Sequence, residues 1–412
     1  MKRSSSTLDN NDDNKKAKIH PFFQKSQTNT TPTMKWKTTN LKNLLIGISR
    51  EKELGKNKIA SFDLDGTLIK TKSGNVHAKD SRDWAWWHSS IPEKLKQLHS
   101  EDYKIVIFSN QNGLKNNQRI NEFKSKVTDI LDQLPIPVLL FASLQKDIYR
   151  KPMKGMWDEL IQEYSDVEID LKNSFYVGDA AGRPAGWKPN MKKDHSCVDR
   201  KFAANIGIKF HTPEKYFTNE NEAEFSWGPV NIMEYPKPST ESLTNLSSLI
   251  PKNKSVVELI LLVGAPASGK SSFAKKYIIP NNYEYINQDT LKTKAKCINA
   301  CEKALKEKKP AVIDNTNSTV EVRAQFIKIA KKYNIPVRCF IFTTDIELSK
   351  HNNYYRSIYK KERPLLSEIV FRVYSSQYQP PKLEEGFSKI ESIDFVFPGD
   401  EKDFIEWKKW YI

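Results

Sequence analysis

The sequence predicts two different α/β domains in tandem, each a doubly wound parallel sheet with helices on both faces. Three observations predict it. From about residue 40 to 235, short apolar runs ending in turn residues alternate with helical stretches, the pattern of parallel strands joined by helical crossovers. A stretch rich in proline and serine follows at 236–255, and the alternation restarts at 256. No repeat relates the two halves. The length, 412 residues, suits two or three domains of roughly 100–200 residues each. The expected organisation is a disordered basic tail over 1–38, a first domain over 39–235, a linker over 236–255 and a second domain over 256–412.

The tail is rich in Ser, Thr, Asn, Asp and Lys and has no apolar periodicity, so it is expected to be disordered. Its two basic clusters, Lys2-Arg3 and Lys15-Lys16-Ala17-Lys18, resemble a bipartite nuclear import signal and predict a nuclear protein. The first domain's strands are expected at 59–63, 103–109, 137–142 and 174–178, with helices at 121–133 and 154–164 among those between them. The second domain's strands are expected at 256–263, 284–287, 311–314 and 337–343. Hydrophobic residues make up 38% of the chain, enough for two cores. No apolar run approaches the roughly 20 residues of a membrane span, and the N-terminus lacks the apolar centre of a secretory signal. Lys and Arg total 66 against 50 acids, a formal charge of +16, which suits a polyanionic partner such as nucleic acid. The four cysteines make no disulfide framework, and Cys297 and Cys301 are expected to be buried thiols.

The first chemical constellation begins at Ser61-Phe62-Asp63-Leu64-Asp65-Gly66-Thr67-Leu68. Two carboxylates at i and i+2 close a strand, and Gly66 turns the chain away. One carboxylate can attack a phosphoryl group, and the other can protonate the leaving oxygen and then activate water. Their mutual repulsion near a phosphate calls for a divalent cation, magnesium by preference for oxygen ligands. Ser109, at the end of the next strand, can hold a phosphate oxygen. Lys151 can neutralise phosphate charge. Asp179 ends a further strand, well placed for the metal. Carboxyl ends of strands are where open α/β sheets carry their sites. Together and in this order, the four pieces resemble the haloacid dehalogenase-type phosphatases.

The second constellation, Gly264-Ala265-Pro266-Ala267-Ser268-Gly269-Lys270-Ser271, matches G-x-x-x-x-G-K-[ST] between an apolar strand and a helix. Its backbone N–H groups can cradle the phosphates of ATP, with Lys270 on the outer phosphates and Ser271 on magnesium. Asp289 and Asp314 end later strands on the same side. Asp289 is a candidate base for an acceptor hydroxyl; Asp314 could orient metal or water, or cap a turn. Arg356 and Arg363, in a basic helical tract, are candidates to close over the transferred phosphoryl group.

A phosphatase and a kinase on one chain make sense when they act on different positions of one molecule. A broken strand with a 3′-phosphate and a 5′-hydroxyl is such a molecule, and the charge suits it. From about residue 40 to 412 the sequence is similar to the polynucleotide kinase 3′-phosphatase family of DNA end-processing enzymes. The similarity is carried by Phe62–Leu68, Ile107–Gln111, Tyr149–Pro152 with Gly155-Met156-Trp157, Val177–Pro184, Lys193–Ala203, the 264–271 loop, Asp289-Thr290-Leu291 and Asp314–Asn317. The phosphatase-then-kinase order resembles that of the eukaryotic members.

The resemblance implies Asp63 as nucleophile and Asp65 as general acid and base. It implies Ser109 and Lys151 as phosphate ligands, and Asp179 holding magnesium with Asp63 and the main-chain carbonyl of Asp65. Arg183, Asp194 and Asp199 would support the site. It implies Lys270 and Ser271 on ATP and magnesium, Asp289 as base and Arg356 as the lid arginine. The implied partners are DNA ends, the implied state a monomer. Animal members carry an N-terminal forkhead-associated domain, whereas only about 40 tail-like residues are seen ahead of the phosphatase here. Any contact with repair-scaffold proteins is therefore expected to take another route. Gln288 stands where relatives often have arginine. Trp84, Trp86, Trp87, Trp187 and Trp227 are either core residues or platforms for bases.

Overall fold

The computed structural model describes residues 34–76, 78–250 and 257–412; the two basic clusters of the tail lie outside the described residues. The first sheet holds seven of nine strands: β1 (Met34–Thr38), β2 (Leu44–Ser49), β3 (Lys58–Phe62), β6 (Tyr103–Asn110), β7 (Val138–Ser143), β8 (Phe175–Val177) and β9 (Lys209–His211). The other two, β4 (Ile69–Lys70) and β5 (Ala85–Trp86), form a small antiparallel ribbon. The sheet order is β1-β2-β7-β6-β3-β8-β9. The five strands from β7 to β9 are parallel, while β1 and β2 join antiparallel at one edge.

Alternation within each strand explains the continuous apolar runs. Ala60, Phe62, Ile105 and Ile107 enter one core layer, and Ile59, Val106 and Phe108 enter the other. A strand covered on both faces can afford no polar side. β3 lies between β6 and β8, where the winding reverses, and this is the crevice that receives a ligand in such sheets.

The second sheet is β10 (Leu259–Val263), β11 (Glu284–Ile286), β12 (Ala311–Asp314), β13 (Val337–Phe342) and β14 (Lys389–Ile393), all parallel, in the order β11-β12-β10-β13-β14. β10 occupies its reversal point, so the loop after Val263 opens into the second crevice.

Three boundaries differ from the sequence expectation. Met34–Thr38, assigned to the tail, is β1, paired with β2 through a turn at 39–43. Thr240–Ser248, assigned to the linker, is a helix whose Ser239 side chain caps it by accepting from Ser242 N; Leu246 and Leu249 pack on the second core. Its polar composition hid a helix that buries only one edge. The strand expected from 256 begins at Leu259. β2, β9 and β14 also lie outside the expected strands: β9 and β14 are short and mostly polar, whereas β2 is a buried apolar run that joins the sheet antiparallel beside β7.

The chain's end joins the two halves. Trp410 stacks on Trp227 with ring centroids 5.5 Å apart. Asn205 accepts from Trp410 N and donates to Trp410 O, both at 2.8 Å. The same Asn205 amide donates to the carbonyl of Pro152 at 2.8 Å. Met153 and Ile232 from the first half share a cluster with Leu348, Phe397, Trp407 and Trp410 from the second.

Candidate active sites

In the first crevice Asp63 follows β3 directly and is held there by its N–H, which donates to Val177 O. Lys151, buried, donates from Nζ to Asp63 Oδ1, Asp199 Oδ1 and Tyr176 Oη, each at 2.7 Å. The Lys151 backbone is clasped by Asn110, which accepts from its N–H and donates to its carbonyl. Asp199 starts the helix Val198–Ile206 and accepts from Ala180 N at 3.0 Å. Asp179 follows β8, and Thr67 Oγ1 donates to it at 3.4 Å. Two glycines leave room for these acids. A Cβ on Gly66, whose φ is +83°, would lie 2.6 Å from an Asp179 oxygen, and one on Gly178 would lie 2.5 Å from Asp199.

Asp63, Asp179 and Asp199 each offer an oxygen within 4.8 Å of the others. Burial pushes the Asp63 carboxyl up to about 7 against the pull of Lys151, with Asp199 adding to the rise. Burial and then the charges of Asp63 and Asp199 push Asp179 well above the carboxylate range. Burial opposes the charge on Lys151, yet Asp199 and Asp63 outweigh it and raise its pKa. Burial raises both acids and their mutual repulsion adds to it, while the same acids raise Lys151: three carboxyl groups share one ammonium, so ionising all three would leave negative charge in excess. A divalent cation with oxygen ligands cancels that excess, so the donor set fits one.

Asp65 is placed differently from Asp63. Its carboxylate turns outward and accepts from Gln111 Nε2 at 2.6 Å and Lys126 Nζ at 3.1 Å. Ser109 Oγ accepts from the same Gln111 amide at 2.9 Å. Arg183 is not at the carboxylates: it is fixed by Asp194 at 2.9 Å and Glu214 at 2.7 Å, donates to Asp179 O, and lies 3.8 Å over the Trp187 ring. It braces the loop that carries Asp179. Asp199 is closer to the chemistry than a supporting role implies, since it shares Lys151 with Asp63. Gln111, Lys126 and Tyr176 were missed as site residues; Gln111, two positions after Ser109 at a strand end, carried the one local signal.

In the second crevice the 264–271 loop connects β10 to the helix starting at Lys270. Lys270 is buried and donates to Gly264 O at 2.8 Å and Ala265 O at 2.6 Å; burial lowers its pKa to about 8. Asn352 and Thr344 donate to the carbonyls of Ala267 and Ser268 and so pin the loop from β13's side. Asp314 is buried at the end of β12, accepting from Tyr285 Oη at 2.5 Å and from Asn287, and Ser271 lies near enough to act on the same Tyr285 hydroxyl. Asp289 is exposed and paired with Arg363 at 2.9 Å. Arg356 is half-buried, donates to Asn353 at 3.3 Å, and leaves its Nε without a partner. Arg356, Asp289 and Arg363 all lie near enough to act on the charge of Lys270. Arg363 touches Asp289, whereas Arg356 acts on it only through charge. A small apolar hollow of about 40 Å³ adjoins the loop at Gly269 and Ser272, lined by Phe273, Tyr277 and Phe395 and bordered by Leu243 and Leu246 of the unforeseen helix.

Of the five tryptophans singled out, Trp84 is buried in the core and Trp86 and Trp87 pack against it. Trp227 is covered by Trp410 and Trp187 by Arg183, so those faces are taken within the fold. Cys297 and Cys301 are buried free thiols, as expected.

Residues 58–217 match the family model described as polynucleotide kinase 3 phosphatase, and residues 259–381 match an AAA domain. A bifunctional polynucleotide phosphatase/kinase of Schizosaccharomyces pombe is 44% identical over 359 residues, covering 86% of this chain and 83% of that protein. The chain belongs to the bifunctional polynucleotide phosphatase/kinase family. A member from Acanthamoeba polyphaga mimivirus is 37% identical over 85% of this chain and 88% of its own length. In this bifunctional enzyme a haloacid dehalogenase-like phosphatase domain precedes a P-loop kinase domain. The carboxylate cluster belongs to the first and the glycine loop to the second.

Proposed function

We propose that this enzyme heals broken DNA strands in the nucleus, acting as a monomer: it removes 3′-phosphates at the first site and phosphorylates 5′-hydroxyls with ATP at the second. The observation that carries this reading is the coexistence, in one positively charged chain, of the Asp63–Lys151–Asp199 cluster and an intact phosphate-binding loop, each at the reversal point of its own sheet.

At the first site Asp63 is the nucleophile. Its oxygen attacks phosphorus, the bond to the 3′-oxygen breaks, and the phosphoryl group rests on Asp63. Asp65 supplies the proton to the leaving oxygen and then takes one from the water that hydrolyses the acyl phosphate. Lys151 and Ser109 balance the charge on the phosphoryl oxygens. Asp63 and Asp179, with the Asp65 carbonyl, would hold magnesium, which when bound lowers the negative charge met by the incoming phosphate.

At the second site the 264–271 backbone receives the triphosphate. Lys270 exchanges its two carbonyl partners for the outer phosphates. Ser271, beside the Tyr285–Asp314 pair, would hold magnesium. Asp289 accepts the proton of the 5′-hydroxyl, with Arg363 or Arg356 over the transferred group.

A nicked duplex with a 3′-phosphate and a 5′-hydroxyl, incubated with magnesium and ATP, tests both halves. Asp63→Ala is expected to lose at least about 10⁴-fold of 3′-dephosphorylation and to keep 5′-phosphorylation; Lys270→Ala is expected to do the reverse. Loss of both activities in either folded variant would overturn separate centres. Turnover of free 3′-nucleotide as fast as of the nicked duplex would overturn the polynucleotide substrate.

A further inference from the structure

We propose that Lys126 is a specificity residue of the phosphatase: it holds Asp65 aside until a second phosphate, one nucleotide from the scissile one, draws it away. The inference rests on the reading of Asp65 as the acid and base of that site.

Asp65 is half exposed, with 52% of its side chain open, yet both its oxygens are taken. Gln111 Nε2 donates to one at 2.6 Å and Lys126 Nζ to the other at 3.1 Å. A carboxyl that must hand a proton to a leaving oxygen and later take one from water needs an oxygen free of N–H donors. The two donors differ in what releases them. Gln111 also donates to Ser109 Oγ at 2.9 Å, so it can move with Ser109 as the terminal phosphate seats. Lys126 touches none of the groups that receive that phosphate. Its side chain is only 12% exposed, held beside the Phe123 ring on a helix, Asn117–Leu131, anchored by buried Phe123, Val127 and Ile130. A charged, ordered lysine leaves a carboxylate when another anion replaces it.

A single-phosphate ester has no such anion to offer, because its one phosphate is bound by Lys151 and Ser109. A polynucleotide 3′ end carries a phosphodiester at the next position. Exposed Lys115 and Arg119, ahead of Lys126 on the same loop and helix, extend the positive charge along the route that the strand would take. The pairing therefore makes the acid available to a strand end and keeps it from small phosphate esters. It favours polynucleotides by gating the chemistry as well as by adding affinity.

The test is steady-state kinetics of the full chain with magnesium on p-nitrophenyl phosphate, which carries one phosphate, and on a thymidine dinucleotide 3′-phosphate, which adds one phosphodiester. Wild type is expected to prefer the dinucleotide in kcat/KM. Lys126→Met is expected to reduce that preference about tenfold or more, raising KM for the dinucleotide while kcat for p-nitrophenyl phosphate rises about two- to fivefold, as expected if one oxygen of Asp65 is released. Lys126→Arg should retain the preference. Unchanged 5′-kinase turnover confirms that each variant is folded. An equal fall on both substrates, or an unaltered preference in Lys126→Met, overturns the proposal. A wild type inert on both substrates, or an Asp65→Asn variant as active as wild type, overturns the reading beneath it instead.

Discussion

The two phosphate sites of this enzyme are built by opposite means. The phosphatase site is a knot of charged side chains contributed by β3, the end of β6, the loop before Gly155, the end of β8 and the helix Val198–Ile206. Its members already pair with one another, Lys151 with two carboxylates at once. The proposed kinase site is eight consecutive residues that offer their main chain as the binding surface, and the buried Lys270 rests on that main chain. The first is electrostatically loaded, with three carboxyl groups crowded round one buried ammonium. In the second the buried cation is met by neutral main-chain groups. A loaded site ties stability to catalysis, and a backbone cradle separates them.

The largest effect is expected when the central cation of each site is removed. Lys151→Met strands Asp63 and Asp199 in a buried space and should destabilise the protein by about 3–5 kcal/mol. Lys270→Met removes a cation that burial already disfavours and whose partners are neutral carbonyls, and should cost about 1 kcal/mol or less. Urea unfolding followed by tryptophan fluorescence measures both, and equal losses would dissolve the contrast.

Whether the two sites are independent bodies is tested at the seam. Trp410→Ala empties the stack on Trp227 and should cost about 3 kcal/mol. Because Asn205 links Trp410 to Pro152, next to Lys151, the variant should lower phosphatase activity more than kinase activity; equal effects would show that the seam is only mechanical.

A smaller effect is expected from His351 in the kinase half. Its Nε2–H donates to Trp407 O and its Nδ1 has no partner. Burial, assisted by the charge of nearby Lys201 though opposed by the Trp407 bond, lowers its pKa from 6.5 to about 4. Between those values the unfolded chain binds the proton and the folded one does not, so stability falls as pH drops through the window. At pH 5 the loss relative to pH 8 is about 2 kcal/mol. His351→Gln should flatten this part of the pH–stability curve.

The smallest effect is the stabilisation by a divalent cation. At ten times its dissociation constant, magnesium should add about 1.4 kcal/mol. Wild type should show it in thermal melts without nucleotide, and Asp179→Asn should lose it, whereas Lys270→Met should not.

The same contrast explains what could be read in advance. The glycine loop was legible residue by residue because its function lies in consecutive main-chain groups. Asp63, Lys151 and Asp179 were legible because each sits beside a strand end or a helix start with recognisable turn chemistry. The partnership of Lys151 with Asp199, 48 positions on, had no local mark. Neither did the turn of Asp65 away from Asp63 toward Lys126 on a separate helix. In a regular strand the i and i+2 side chains would share a face, but Gly66 and the Asp65–Ile69 bridge bend the chain before that rule can hold. The helix Thr240–Ser248 escaped for a similar reason: its polar residues read as a linker, and only the pocket beside the kinase loop gives its two leucines a place.

Two tandem halves of alternating strand and helix, a glycine loop between a strand and a helix, and acids at strand ends were determined by the sequence alone, because each depends on neighbours a few residues apart. Which carboxylate shares the lysine, which one faces outward, and how the last tryptophan binds the halves together were decided only in the folded molecule. Those choices turn on charges and rings brought within a few ångströms from distant parts of the chain, where burial sets the strength of every pair.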